Sequence, residues 1–117
     1  FFLDYYLDTD PANFITPEPF DMKEAEIDEE MPERTFTKEE LLKYFVHCRK
    51  KAQILFAGFT EESFTARWKD KYRNYGLIEM QLYNMRHVMH HTGQLNMLLG
   101  KIDHDLPIWV SQTKVEL

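Results

Sequence analysis

The sequence is short of cysteine and of long apolar runs, and both shortages argue against whole classes of protein. Cys48 is the single cysteine, so no internal disulfide can form. An unpaired cysteine suits a reducing compartment and predicts a cytoplasmic protein. No stretch approaches the about 20 consecutive apolar residues of a membrane-spanning helix, so we expect no membrane association.

Basic residues are scarce relative to acidic ones. The chain contains 14 lysines and arginines against 20 aspartates and glutamates, which gives a formal net charge of −6 at pH 7. Such a chain repels a phosphate backbone on average, so a nucleic-acid partner is not expected. The four basic residues between positions 67 and 73 are interpreted as a solvated face. Phosphate-binding loops, dinucleotide-binding glycine motifs and nucleophile elbows are missing from the sequence.

What the sequence does contain is helical periodicity in one domain, residues 1–117. Apolar residues at the start of the chain have helical spacing and predict the last two turns of an amphipathic helix. Thr37 and Glu40 match a capping box, which predicts a helix that begins there and ends near Gly58. The apolar seam expected on this helix consists of Leu41, Phe45, Cys48, Ala52, Leu55 and Phe59.

A further helix is predicted from about Leu77 to Leu99, with Gly100 as the residue that ends it. Residues 8–36 hold four of the five prolines and a dense acidic run, and they predict a long surface connection. The tail from Lys101 is expected to pack across the helices as an irregular segment or a short strand.

Two histidines on the last helix are the candidate metal ligands. His87 and His91 are four residues apart, so their side chains share one helical face and can converge on one cation. His90 points about 100° away from His91 and is expected to be a bystander. Position 88 is Val88 rather than the glutamate of a zinc protease, so that reaction is excluded. The alternative is that both histidines are hydrogen-bonded polar residues of a helical core, and the spacing leaves both interpretations open.

A metal site needs a further ligand, and the other histidines are poor candidates for it. His47 is interpreted as a boundary histidine beside the apolar seam, and His104 as a solvent-exposed residue between Asp103 and Asp105. Cys48 lies on the seam and is expected to be an inert buried thiol.

The run LYNMRHVMHHTGQLN, residues 82–96, resembles the last helix of the DinB-like superfamily, whose members often carry an R-H-x-x-H-H-x-G-Q-L-type stretch there. The opening FFLDYYLD resembles the end of the second helix of that family, and residues 37–44 resemble the start of its third. The resemblance implies an all-α four-helix bundle, of which this sequence lacks the first helix and most of the second. It also implies a divalent metal ion, zinc or nickel, held by His87, His91 and a third histidine upstream of Phe1.

Some members of that superfamily are thiol S-transferases, so the resemblance implies a small thiol and an electrophile as substrates. The competing hypothesis is a non-enzymatic helical-bundle protein whose histidine site is structural or degenerate. The resemblance implies a homodimer in both cases. No catalytic residue can be assigned from the sequence.

Overall fold

The structure is a computed structural model, and it describes residues 1–20, 35–102, 106–108 and 111. The helices are α1 (Phe2–Leu7), α2 (Lys38–Ala57) and α3 (Leu77–Ile102). Two short strands, β1 (Arg67–Lys69) and β2 (Asn74–Gly76), lie between α2 and α3. Single 3-10 turns occur at Pro11–Asn13 and Glu61–Phe64.

The expectation of an all-α four-helix bundle is wrong for the described residues, which form three helices and a two-stranded antiparallel sheet. Arg67, Trp68 and Lys69 pair with Gly76, Tyr75 and Asn74 respectively. The segment forms a strand rather than a helix because its side chains alternate between solvent and core. Arg67 and Lys69 are exposed, and Trp68 between them is buried. The Trp68 indole N–H donates to the Asp8 carbonyl oxygen at 2.7 Å. In an extended segment, one side chain can point into the core while both of its neighbours point into water.

Helix α2 begins as its capping box predicts. The Glu40 N–H donates to Thr37 Oγ1 at 3.2 Å, and the Thr37 N–H donates to Glu40 Oε2 at 2.8 Å. Gly58 is the C-terminal cap, as predicted. The predicted seam is only partly correct, because Leu41 and Phe45 are 52% and 56% exposed. The face of α2 that packs against α1 instead carries Tyr44, Cys48, Ala52 and Leu55.

Helix α3 is longer than predicted, because it continues through Gly100 to Ile102. None of the described glycines has a positive φ, so Gly100 does not form the expected left-handed cap. A Cβ atom at Gly100 would lie 3.5 Å from a methyl carbon of Leu106, so the chain beyond the helix packs back against this turn. His104 and most of the predicted tail lie outside the described residues. Residues 21–34, which make up most of the predicted acidic connection, also lie outside them.

Helix α1 has six residues, too few to be stable alone in water, and tertiary contacts hold it in place. On one side Leu7 is buried with Phe20, Tyr44 and Cys48. On the other side Tyr6 is buried with Trp68 and Met80. Because it packs against both α2 and α3, α1 joins the two long helices.

Amide side chains of α3 bind the backbone of α1. Gln81 Nε2 donates to the Tyr6 carbonyl oxygen at 2.8 Å, and Asn84 Nδ2 donates to the Leu3 carbonyl oxygen at 3.1 Å. Both side chains are buried. The Tyr6 carbonyl lies in the last turn of α1, where carbonyl groups lack intrahelical partners, so the bond from Gln81 removes part of that cost.

A buried carboxylate fixes α1 to α2. Asp4 is fully buried, and Lys51 Nζ lies 2.8 Å from its Oδ1 while the Tyr44 hydroxyl donates to its Oδ2 at 3.0 Å. Lys51 also contacts Asp8 Oδ2 at 2.6 Å. Burial works against the charged form of Asp8, but the hydrogen bonds from Lys51 and from the Asp10 N–H, together with the charge of Lys51, outweigh it, and the pKa of Asp8 is lowered. Burial, followed by the Asp4 charge, raises the pKa of Tyr44.

No helix in the described part of the chain combines the length and the apolarity needed to cross a membrane.

We expect Lys51→Met to lower the free energy of unfolding by about 2–3 kcal/mol, because Asp4 would stay buried without its cation. The exposed neighbour Lys50→Met is the matched control and should change it by less than about 0.5 kcal/mol. Urea denaturation followed by circular dichroism measures both. Equal unfolding midpoints for the two variants would show that Asp4 does not depend on Lys51.

Candidate metal centre

The structure places the side chains of His87 and His91 side by side on α3. Their Nε2 atoms are 3.2 Å apart, and their ring centroids are 4.6 Å apart with the planes inclined at 72°. The cause is local, since residues four apart in a helix lie one above the other.

The 3.2 Å separation fits two ligands of a single metal ion. Nitrogen ligands bind zinc at roughly 2.0–2.1 Å, so two of them at bond angles of roughly 90–110° have their nitrogen atoms roughly 2.9–3.4 Å apart. The same separation also fits a hydrogen bond between two neutral imidazoles. The pair is therefore arranged to hold either a cation or a shared proton.

Gln94 determines which nitrogen of His91 carries the proton. Gln94 Oε1 lies 2.8 Å from His91 Nδ1. An amide oxygen can only accept, so His91 Nδ1–H is the donor in this contact, and in the neutral ring Nε2 keeps its lone pair. Hydrogen bonds of this kind orient metal-binding histidines in proteins. Without a metal, His87 Nε2–H donates to His91 Nε2, and a metal requires His87 to carry its proton on Nδ1 instead.

Aromatic side chains position His87. Its ring centroid lies 5.3 Å from Phe2 and 6.0 Å from Tyr6, both on α1, and 6.3 Å from Tyr83, one turn earlier on α3. This packing leaves His87 half-buried while His91 stays exposed. Burial, followed by the nearby charges of His91 and His90, lowers the pKa of His87. The lowered pKa favours the neutral form of His87, which is the form that binds a metal ion.

His87 borders a cavity of about 540 Å³ that is open to solvent, and its lining residues Tyr83, Arg86, His87, Met89 and His90 all lie on α3. His90 lines this cavity too, and its ring centroid is 5.3 Å from that of His91. That His90 is a bystander to metal binding was inferred only from its direction relative to His91, and it stays a prediction. The four-residue step from Arg86 to His90 is the signal that would have grouped these two side chains.

The described residues do not supply a third metal ligand. No group of three histidines, cysteines, aspartates or glutamates among them could hold a metal ion. His47 lies on α2 with its Nε2 3.4 Å from Asp4 Oδ1, and its side chain is 44% exposed, which agrees with a boundary position. His104 lies outside the described residues.

Cys48 is buried as expected and is not part of the centre. Burial, followed by the Asp4 charge, raises the pKa of its thiol to about 11. A thiol with this pKa is almost fully protonated at neutral pH, so it is a poor nucleophile and a poor metal ligand.

Comparison with protein-family models, with curated proteins and with solved structures finds no match to this chain. The DinB-like resemblance therefore stays a prediction.

We expect the pKa of His87 to lie below its ordinary value of 6.5. As pH falls through 6.5, the unfolded chain gains a proton that folded His87 does not, so the free energy of unfolding decreases with falling pH. NMR titration of the His87 Cε1–H resonance measures this pKa. His91→Gln removes a neighbouring charge and should raise it, whereas His47→Gln, on α2, should leave it unchanged. Titration of His87 at or above 6.5 would contradict the packing described here.

Proposed function

We propose that this chain binds a divalent metal ion, zinc or nickel, through His87 Nε2 and His91 Nε2. The observation that carries the proposal is the 3.2 Å separation of these two atoms, together with the Gln94 contact that leaves His91 Nε2 free to bind. The lowered pKa of His87 supports it, because metal ions compete with protons for imidazole nitrogen.

Two histidines alone leave coordination positions for other groups. The DinB-like resemblance implies that a third histidine fills one of them. Catalytic zinc sites commonly have three protein ligands and an open position for water or substrate. The cavity beside His87 has room for a small ligand at such a position.

The activity we propose is a metal-dependent transfer of a small thiol to an electrophile, in which the thiol gives up its S–H proton to solvent and its sulfur displaces a leaving group from a carbon of the electrophile. A bound divalent ion would supply Lewis-acid chemistry, which favours the thiolate over the thiol. His87 and His91 would hold the ion, and the aromatic packing of Phe2, Tyr6 and Tyr83 would keep the His87 ring in place. None of the described residues is assigned as a general acid or a general base. The unpaired Cys48 supports a cytoplasmic location, where small thiols stay reduced.

The second candidate function is a non-enzymatic protein that forms homodimers and whose histidine pair is structural or degenerate. Large apolar side chains of α2 and α3 favour it, because many of them are about half exposed, and such surface favours association. Examples are Leu42, Phe56, Leu82 and Met89, with exposed fractions of 53%, 49%, 55% and 56%. In this case the 3.2 Å contact between the two histidines is a hydrogen bond.

Metal titration tests the first proposal. We expect the purified protein to bind about one zinc or nickel ion per chain, and His87→Ala and His91→Ala each to weaken binding at least about tenfold. His90→Ala is the matched control on the same helix and should keep the wild-type affinity. Isothermal titration calorimetry with elemental analysis measures this. Absence of stoichiometric metal from the wild type, or equal affinity in all four proteins, would reject the metal site.

Thiol consumption separates the two functions. Metal-loaded protein should consume thiol in the presence of an aromatic electrophile faster than metal ion alone, and His87→Ala or a chelator should abolish the difference. Sedimentation of the same samples reports the oligomeric state. A metal-loaded dimer that consumes no thiol with any of a panel of electrophiles would favour the non-enzymatic function.

A further inference from the structure

The cavity beside His87 has a defined arrangement of polar groups. Tyr83 and His87 are four residues apart on α3, and so are Arg86 and His90. Each pair therefore forms a short ridge along the helix, and the two ridges are neighbours because Arg86 and His87 are adjacent in sequence. The lining thus presents a guanidinium group, two imidazoles and a phenol to the same space.

This lining is basic although the chain as a whole is acidic. None of the five lining residues carries a carboxylate. Arg86 is exposed and forms no ion pair within the part of the chain that the structure describes, whereas Lys51 and Arg73 are paired with aspartates. The guanidinium group of Arg86 is therefore available to a ligand that enters the cavity.

We propose that Arg86 binds a carboxylate of the ligand, so that the site selects small thiols that carry a carboxylate over uncharged ones. This inference rests on the proposed metal site. The planar guanidinium group forms paired hydrogen bonds with a carboxylate, and His90, one helical turn further along the same ridge, lines the same cavity. One small molecule would then span the two ridges, with its sulfur on the His87 side and its carboxylate at Arg86.

Because the net charge of the chain is −6, long-range attraction cannot produce a preference for thiols that carry a carboxylate. An overall negative chain repels an anion at long range, so any preference for a carboxylate has to come from groups that touch it. Removing one such group should then weaken binding of the carboxylate-bearing ligand and leave the affinity for an uncharged ligand unchanged.

The test uses the Co²⁺-loaded protein with 3-mercaptopropionate and 2-mercaptoethanol, and it follows sulfur-to-cobalt charge-transfer absorption. We expect Arg86→Gln to weaken 3-mercaptopropionate binding about fivefold and to leave 2-mercaptoethanol and Co²⁺ binding unchanged. Arg49→Gln, at an exposed position on α2, is the matched control and should behave as the wild type. Equal weakening by both substitutions, or none by Arg86→Gln, would overturn the proposal.

A second measurement separates this proposal from the metal site itself. Propionate is titrated into the metal-free protein, and the Arg86 Nε–Hε resonance is followed by NMR. A saturable shift that is absent from the Arg49 resonance supports the carboxylate contact, and a linear or shared drift overturns it. Failure of Co²⁺ to bind would reject the proposed function, whereas this titration would still decide whether Arg86 binds carboxylate.

Discussion

The buried carboxylate of Asp4 is the constraint on which the rest of the arrangement depends. A charge removed from water is costly unless a counter-charge and hydrogen bonds replace its hydration. Lys51 supplies the charge and Tyr44 the hydrogen bond, both from α2. Because Asp4 lies on a six-residue helix that cannot persist alone, these contacts also place α1. The same lysine binds Asp8 just beyond the end of α1, so both ends of the segment are fixed to α2.

The position of α1 in turn determines the surroundings of His87. With its polar side held by α2, α1 directs Phe2 and Tyr6 toward α3, where their rings contact the imidazole of His87. Gln81 and Asn84 strengthen this packing by binding the α1 backbone. The two histidines of the candidate centre consequently differ. His87 is half-buried among aromatic rings, whereas His91 is exposed and is oriented by Gln94 on its own helix.

Much of the local structure could be predicted from the sequence. The capping box at Thr37, the end of α2 at Gly58 and the proximity of His87 and His91 all depend on residues within about one helical turn of each other. The errors concern contacts between distant segments. Apolar periodicity alone puts Leu41 and Phe45 on the seam of α2, because it carries no information about which face of α2 the short helix α1 will cover. The strand at Trp68 was missed because three residues are too few for a period of two to stand out.

The sequence by itself determined the two long helices, both caps of α2 and the pairing of His87 with His91, because backbone geometry within a helix fixes which side chains meet. Only the tertiary structure decided that Asp4 is buried against Lys51, 47 residues away, and that Trp68 reaches the carbonyl group of Asp8, 60 residues away. It also brought the rings of Phe2 and Tyr6 on α1 onto His87. Such contacts depend on how segments fold onto one another, and the free energy that selects them comes from burial and charge compensation summed over the whole domain.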